Sequence, residues 1–207
     1  RIPRVKITVS QEPMARRDGR LANQLRPPSM DLRPLLRADG SARFRFGDST
    51  VIAAVFGPRE PRSRQRELFD RATLDVVVRP RIGIPGTAER QMEALLARQL
   101  EYVILASQYP RTQITVIVQL TSCDGAVAAC AGNAAHLALL DAGVAMKATA
   151  MCIALAVKLD PEPVIWLDPT EAEEAQCDAM ISLAVDGSRN QLVSNLSSGA
   201  PLDAAIW

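Results

Sequence analysis

The apolar positions of the chain repeat with a strand-like period in some segments and a helix-like period in others. Phe44 and Phe46 alternate with arginines, which is the pattern of a half-exposed strand. The apolar run 50–57 predicts a buried strand, and Gly47-Asp48 between the two runs predicts a hairpin. Further strands are predicted at 72–80, 113–120, 148–157, 164–168 and 179–185, with 191–197 as one more candidate.

A first helix is predicted after the segment RIGIPG (81–86), which breaks the strand pattern. Apolar residues between Met92 and Ile104 recur at offsets of three and four, so they form one face of a helix. We expect Thr87 to cap this helix and Tyr109-Pro110 to end it.

A second helix is predicted after a turn at Asp124-Gly125, and it ends at 141–143. Its many alanines indicate close packing against the sheet. The strand order also predicts a turn at Asp160-Pro161 between two paired strands. We interpret residues 1–28 as an Arg- and Pro-rich N-terminal arm and 29–207 as a single domain. This order of strands and helices fits an α+β or an α/β domain.

Length and charge agree with one globular domain. The chain has 207 residues, of which 48% are hydrophobic and 23% charged. Residues 1–99 hold 19 Arg and one Lys against 11 acids, and residues 100–207 hold four basic residues against 12 acids. The basic half either contacts a phosphate-rich partner, since arginine donates paired hydrogen bonds to phosphate, or is neutralised by the acidic half within the fold.

Several classes of site find no support in the sequence. The cysteines form no CxxC pair, and the only histidine is His136, so a structural zinc site is not expected. We interpret the four cysteines as small buried side chains and His136 as a packed or surface side chain without a catalytic role. Glycine-rich nucleotide-binding loops are absent, so no cofactor is expected. No apolar run is long enough for a membrane helix.

An acidic cluster at 171–178 leaves two interpretations open. Glu171, Glu173, Glu174 and Asp178 follow a predicted strand end. Clustered carboxylates are ligands that Mg²⁺ accepts. Composition alone favours the alternative, an exposed acidic turn.

Three motifs in order resemble the RNase PH family. RADGSARFRFGDSTVIAAVFGPRE (37–60) resembles its opening signature, and LDAGVAMK (140–147) and LDPTEAEEA (167–175) resemble later segments. The resemblance covers about residues 15–190. It implies an α+β, RNase PH-like fold (ribosomal protein S5 domain 2-like), with a mixed β-sheet and packed α-helices. RPRIGIPGTAE (79–89) and LDPTEAEEA look closest to subunits of the eukaryotic RNA exosome ring.

Active members of this family degrade RNA from its 3′ end with phosphate as the attacking group. They hold that phosphate with a loop that reads roughly Asp-Ala-Gly-Ser-Arg, where this chain has Cys123-Asp124-Gly125-Ala126-Val127. The serine and arginine are thus replaced by Ala126 and Val127, which have no side-chain donor. An arginine pair at the start of the long helix is replaced by Thr87 and Ala88.

The resemblance implies that the metal site is degenerate as well. Active members use two aspartates six residues apart, whereas Glu174 and Asp178 are four apart. Arg79, Arg81 and Arg90 are candidates for RNA contacts, or else ordinary surface arginines. We expect no catalytic residue and no bound metal.

The resemblance and its departures therefore predict a non-catalytic, RNA-path-lining subunit of the exosome core ring. Expected partners are other RNase PH-like ring subunits, cap subunits and RNA, without membrane contact. The expected location is the nucleus, including the nucleolus, and the cytoplasm. Two alternatives remain: an active phosphate-dependent 3′-to-5′ exoribonuclease that uses Glu174 and Asp178, and a homodimeric nucleic-acid-binding protein outside the ring.

Overall fold

The computed structural model describes residues 16, 18–61, 67–159 and 164–201. In it, two β-sheets face each other across a central helix. The first sheet has the order β1-β2-β3-β5-β4 and consists of β1 (Pro28–Leu32), β2 (Gly40–Phe46), β3 (Ser49–Arg59), β4 (Thr73–Arg79) and β5 (Gln113–Ser122). The second has the order β7-β6-β8-β9 and consists of β6 (Ala150–Lys158), β7 (Val164–Leu167), β8 (Ala179–Asp186) and β9 (Gln191–Gly199). The helices are α1 (Thr87–Val103), α2 (Val127–Asp141) and α3 (Glu171–Glu174).

The first sheet is mixed, as expected. β2 and β3 form the predicted antiparallel hairpin, with Phe46 opposite Ser49. β4 runs parallel to β5, and α1 makes the crossover between them. Because parallel neighbours need such a crossover, β4, α1 and β5 form one βαβ unit whose strands end at the same edge of the sheet.

The core lies between the two sheets around α2. Phe44 and Phe46 point inward from β2, with their rings perpendicular and 4.9 Å apart. On the other side of α2, Gly132 lies so close to β6 that an added Cβ would collide with the sulfur of Cys152. The close packing predicted from the small residues of α2 is therefore confirmed.

The ends of α1 differ from the sequence prediction. The cap is Gly86 rather than Thr87, and its N–H donates to Oε2 of Glu89 at 2.7 Å. The helix ends at Val103, well before Tyr109-Pro110. It stops there because Ile104 is extended (ψ 137°) and bridges to Met146, after which residues 106–108 make only a short 3₁₀ turn.

The second sheet confirms the predicted pairing of β6 with β7 and shows that 191–199 is a strand paired with β8. The turn at Asp160-Pro161 lies outside the described residues, as do 1–15 of the arm. The described part of the arm has no helix or strand before β1, and Arg16 and Ala22 make hydrogen bonds to the backbone of Leu167 in β7. Among the described helices, none is long and apolar enough to cross a bilayer.

Candidate functional site

The loop between β5 and α2 is the centre of the candidate site. Gly125 (φ 72°) and Ala126 (φ 51°) are both left-handed. A Cβ on Gly125 would meet the backbone of Thr170 at 2.6 Å, so the loop lies directly against the segment before α3. Ser49 holds the loop from β3, because its hydroxyl donates to the Gly125 carbonyl at 2.7 Å and accepts from the Asp124 N–H at 2.9 Å.

The loop offers no side-chain donor at its two replaced positions. Ala126 is the N-cap of α2, is 2% exposed, and makes no side-chain capping bond. Val127 begins the helix and packs against the core. What remains for an anion is the backbone N–H groups at the start of α2, which carry the positive end of the helix dipole.

A buried charge network lies behind the loop. Asp168, 1% exposed, accepts two hydrogen bonds from the Arg26 guanidinium at 2.7 and 2.8 Å and one from the Arg26 N–H at 2.9 Å. The same guanidinium donates to the carbonyl of Asp124 at 2.7 Å and to its carboxylate at 3.1 Å. Burial alone would lower the pKa of Arg26, but the bonds and charge of Asp168 and the charge of Asp124 raise it.

Two further arginines join this network to α3. Arg16 donates to the Leu167 carbonyl at 2.7 Å and lies 3.4 Å from a carboxylate oxygen of Glu173. Arg20 donates to the Asp168 carbonyl at 3.2 Å and lies 3.8 Å from Glu173. The segment 16–26 therefore fixes the end of β7 and the start of α3. Sequence reasoning missed this network, because its members are about 100 or more residues apart and follow no local pattern.

The two candidate metal ligands have separate partners. Glu174 accepts a hydrogen bond from the Ala126 N–H at 2.7 Å, whereas Asp178 accepts one from the Leu159 N–H at 2.7 Å. Burial raises the pKa of Glu174, while the bond from Ala126 and the charge of Arg26 lower it in part. Across the described ranges, no group of three or more His, Cys, Asp or Glu side chains is arranged to hold a metal ion.

Charged residues of the segment 81–89 act on the same loop. Thr87 and Ala88 are exposed in its first turn. Burial raises the pKa of the Cys123 thiol, the charges of Glu171 and Glu89 raise it further, and Arg81 lowers it. These influences place the 81–89 segment within electrostatic range of the loop.

The three candidate arginines are exposed. Arg79 ends β4 opposite Gln119, whose side chain donates to the carbonyl of Pro80 at 3.0 Å and fixes the turn into the following loop. The guanidinium groups of Arg79, Arg81 and Arg90 form no ion pair or hydrogen bond with another described residue. Between them, Ile82 and Ile84 are 84% and 92% exposed, an apolar tip that sequence reasoning did not single out.

His136, Cys130 and Cys152 are buried in the core and take no part in this site. His136 is 2% exposed, and its Nδ1 donates to the Gly132 carbonyl at 2.7 Å, while burial lowers its pKa. Cys130 and Cys152 are buried as expected, and burial raises the pKa of each thiol to about 12. The expectation of burial is wrong for Cys123, which is exposed because it follows the end of β5 in the loop.

Comparison with known proteins gives consistent results. The sequence model of the RNase PH domain, described as "3′ exoribonuclease family, domain 1", matches residues 24–145. A curated "Exosome complex exonuclease RRP46 homolog" (ribosomal RNA-processing protein 46) from rice (Oryza sativa subsp. japonica) is 40% identical over 180 residues, which are 87% of this chain and 74% of the relative. The homologue of the same name from Arabidopsis thaliana is 34% identical over 92% of this chain and 80% of the relative.

Solved structures share the architecture. A crystal structure of rice Rrp46 matches with a TM-score of 0.84 and 38% identity, over 92% of this chain and 89% of that one. The Archaeoglobus fulgidus exosome "with RNA bound to the active site" matches with a TM-score of 0.77 over 92% and 85% of the two chains. At 19% identity, the second match concerns the fold alone.

Proposed function

Because the chain belongs to the RNase PH family of 3′ exoribonuclease domains, we propose that it is a structural and RNA-path-lining subunit of the RNA exosome core ring, without phosphorolytic activity of its own. The names of its relatives support the assembly, since the rice and Arabidopsis proteins are called exosome complex members. The proposed partners are other RNase PH-like ring subunits, cap subunits and RNA.

The loss of donors at Ala126 and Val127 carries the non-catalytic part of this proposal. Phosphorolysis needs a firmly held inorganic phosphate, because the phosphate is the nucleophile. Removing a single preorganised donor from a transition-state site typically costs about 10²–10³ in rate. Here two loop donors are missing, and Thr87 and Ala88 stand where active members have two arginines.

The carboxylates give a second reason. A magnesium ion requires oxygen ligands that converge at about 2.1 Å. Glu174 and Asp178 instead bind backbone amides of two different segments, Ala126 after β5 and Leu159 after β6. We therefore interpret this acid pair as a degenerate metal site.

The surface supports a role in assembly. Met30 is 63% exposed, Leu140 48% and Met151 70%, and all three line one apolar groove of about 430 Å³ between β1, α2 and β6. Apolar surface of this kind is costly on a monomer and is typical of protein–protein contacts. We assign this groove to a neighbouring RNase PH-like subunit.

We assign RNA contacts to the three exposed arginines. Arg79, Arg81 and Arg90 are exposed and have no anionic partner among the described residues, so they are available for phosphate oxygens. They lie at the end of β4, in the next loop and in the first turn of α1. The proposed compartments are the nucleus, including the nucleolus, and the cytoplasm, where RNA is processed and degraded.

An activity assay tests the proposal directly. The purified chain is incubated with a 3′-unpaired RNA, Mg²⁺ and inorganic phosphate, next to an active RNase PH family enzyme. We expect no release of nucleoside diphosphates from this chain. Phosphate-dependent release, absent when phosphate is omitted, would establish the alternative, an active phosphorolytic exoribonuclease.

Light scattering addresses the remaining alternative, a homodimer outside the ring. The chain alone is compared with the chain mixed with RNase PH-like ring partners. We expect a stable hetero-oligomer in the mixture. A homodimer that persists in the presence of those partners contradicts the proposal.

A further inference from the structure

The backbone N–H of Ala126 already donates a hydrogen bond to a carboxylate of the same chain. It is one of the four N–H groups at the start of α2 that have no acceptor within the helix. Such groups are the usual ligands of phosphate and carboxylate at helix starts. Here the acceptor is Oε1 of Glu174, at 2.7 Å. The chain thus places one of its own carboxylates at the loop that aligns with the family's phosphate loop.

The position of Glu174 is fixed by its neighbours. It is the last residue of α3, and its N–H donates to the Thr170 carbonyl at 2.9 Å. Glu173 closes the start of α3 by accepting from the Thr170 N–H at 2.9 Å. Behind α3, Arg26 joins Asp124 to Asp168, so the loop and the helix are held as one unit.

The charges around the contact disfavour a second anion. Asp124 lies in the loop and Glu171 opens α3, and the negative charges of both act on Glu174, while the buried Arg26, which is paired with Asp124 and Asp168, offsets them in part. An inorganic phosphate approaching the start of α2 would meet the carboxylates of Asp124, Glu171 and Glu174. In the active pattern, a serine and an arginine stand at positions 126 and 127, where this chain has no side-chain donor to offset that repulsion.

We propose that Glu174 determines ligand specificity at this loop, by occupying the Ala126 amide and excluding inorganic phosphate. The inference rests on the proposed non-catalytic function and deepens it. The site is closed by an internal carboxylate as well as by missing donors. Removing the carboxylate frees the Ala126 N–H beside those of Val127 and Ala128, which donate to no other described residue.

The test is a phosphate titration followed by ¹⁵N–¹H NMR at the amide of Ala126. Sodium chloride at equal ionic strength is the reference for non-specific effects. In the wild-type chain we expect no saturable shift of the Ala126 signal. In Glu174→Ala we expect a saturable shift of the signals of Ala126 and Val127.

Glu101→Ala is the control, because it removes an exposed carboxylate from α1 and leaves the contact of Glu174 with Ala126 intact. It should behave like the wild type. If Glu174→Ala does not fold, Glu174→Met carries the same expectation, because it keeps most of the length of the side chain and removes both its charge and its acceptor oxygens.

Two results would overturn the inference: a saturable phosphate shift in the wild type, or none in the folded Glu174 variant. Either result leaves the proposed function standing if the wild type still releases no nucleoside diphosphates. Conversely, phosphorolysis by the wild type would refute the proposed function whatever the NMR shows, so the two failures can be told apart.

Discussion

At the scale of single residues, Arg26 decides whether the site is held together. Its guanidinium is buried and satisfies both oxygens of Asp168 while reaching the backbone and the carboxylate of Asp124. Buried ion pairs add little net stability compared with an apolar core, but removing one partner strands the other charge. Arg26 is therefore more important for the integrity of the loop than the surface arginines.

We expect Arg26→Ala to lower the free energy of unfolding by about 3–5 kcal/mol, because it leaves Asp168 with a buried charge and, among the described residues, a single ion pair, with Arg20 at 3.5 Å. Urea unfolding at neutral pH measures the change. Arg59→Ala is the control. It breaks a 3.0 Å ion pair with Asp39 in which both side chains are about half exposed, and such pairs contribute about 0–1 kcal/mol. Equal costs for the two variants would contradict a special role for Arg26.

The buried thiol of Cys152 predicts that the free energy of unfolding decreases at alkaline pH. Burial raises its pKa from 9.0 to about 12, so above pH 9 the unfolded chain loses this proton before the folded chain does. The folded state then binds more protons, and its stability falls as the pH rises from 9 towards 12. Relative to Cys152→Ala, the wild type should lose about 1.4 kcal/mol more between pH 8 and pH 10. Urea unfolding under reducing conditions at both pH values checks this, and a constant difference between the two proteins would contradict it.

At the scale of elements, apolar periodicity predicted the strands and helices with a buried face, and β9 was a candidate although none of its residues is buried, whereas β1 and α3 were missed. The hairpin of β2 and β3, the alanine-rich α2 and the pairing of β6 with β7 all follow from apolar periodicity. β1 gave no such signal, because all five of its residues are exposed. α3 has only four residues, which is too short to show a helical period.

The contact between the β5–α2 loop and the segment before α3 predicts a cost for Gly125→Ala. Gly143 is a matched control, because it is also left-handed (φ 68°, against 72° for Gly125) but has no atom within 4 Å of an added Cβ. Both variants should lose about 1–2 kcal/mol from backbone strain. Gly125→Ala should lose about 1–3 kcal/mol more, because its Cβ overlaps the backbone of Pro169 and Thr170. Urea unfolding of the two variants gives the difference, and equal losses would show that the contact is not tight.

At the scale of the whole molecule, the charge asymmetry has two parts. Several arginines of the basic first half are neutralised within the fold, as Arg16, Arg20 and Arg26 are by the acidic segment 168–173. This supports the interpretation that the halves compensate each other. Arg79, Arg81 and Arg90 have no such partner among the described residues, and all three are exposed. The sequence showed the excess of arginine, but it could not show which arginines the fold would neutralise.

This division predicts how RNA binding depends on salt. If Arg79, Arg81 and Arg90 each contact one phosphate, RNA binding releases the counterions of about three phosphates through them. Replacing all three with alanine abolishes this part of the counterion release. On single-stranded RNA the slope of log K against log salt should then become shallower by about 0.7 per contact, or about 2 in total, with a similar loss of affinity on any sequence. Fluorescence anisotropy with two unrelated single-stranded RNAs, on the chain alone and in the assembled ring, measures this. Arg98→Ala, an exposed arginine further along α1, is the control and should leave the slope unchanged. An unchanged slope in the triple variant would assign these arginines to subunit contacts or to solvent, and the RNA path would have to be sought on another surface.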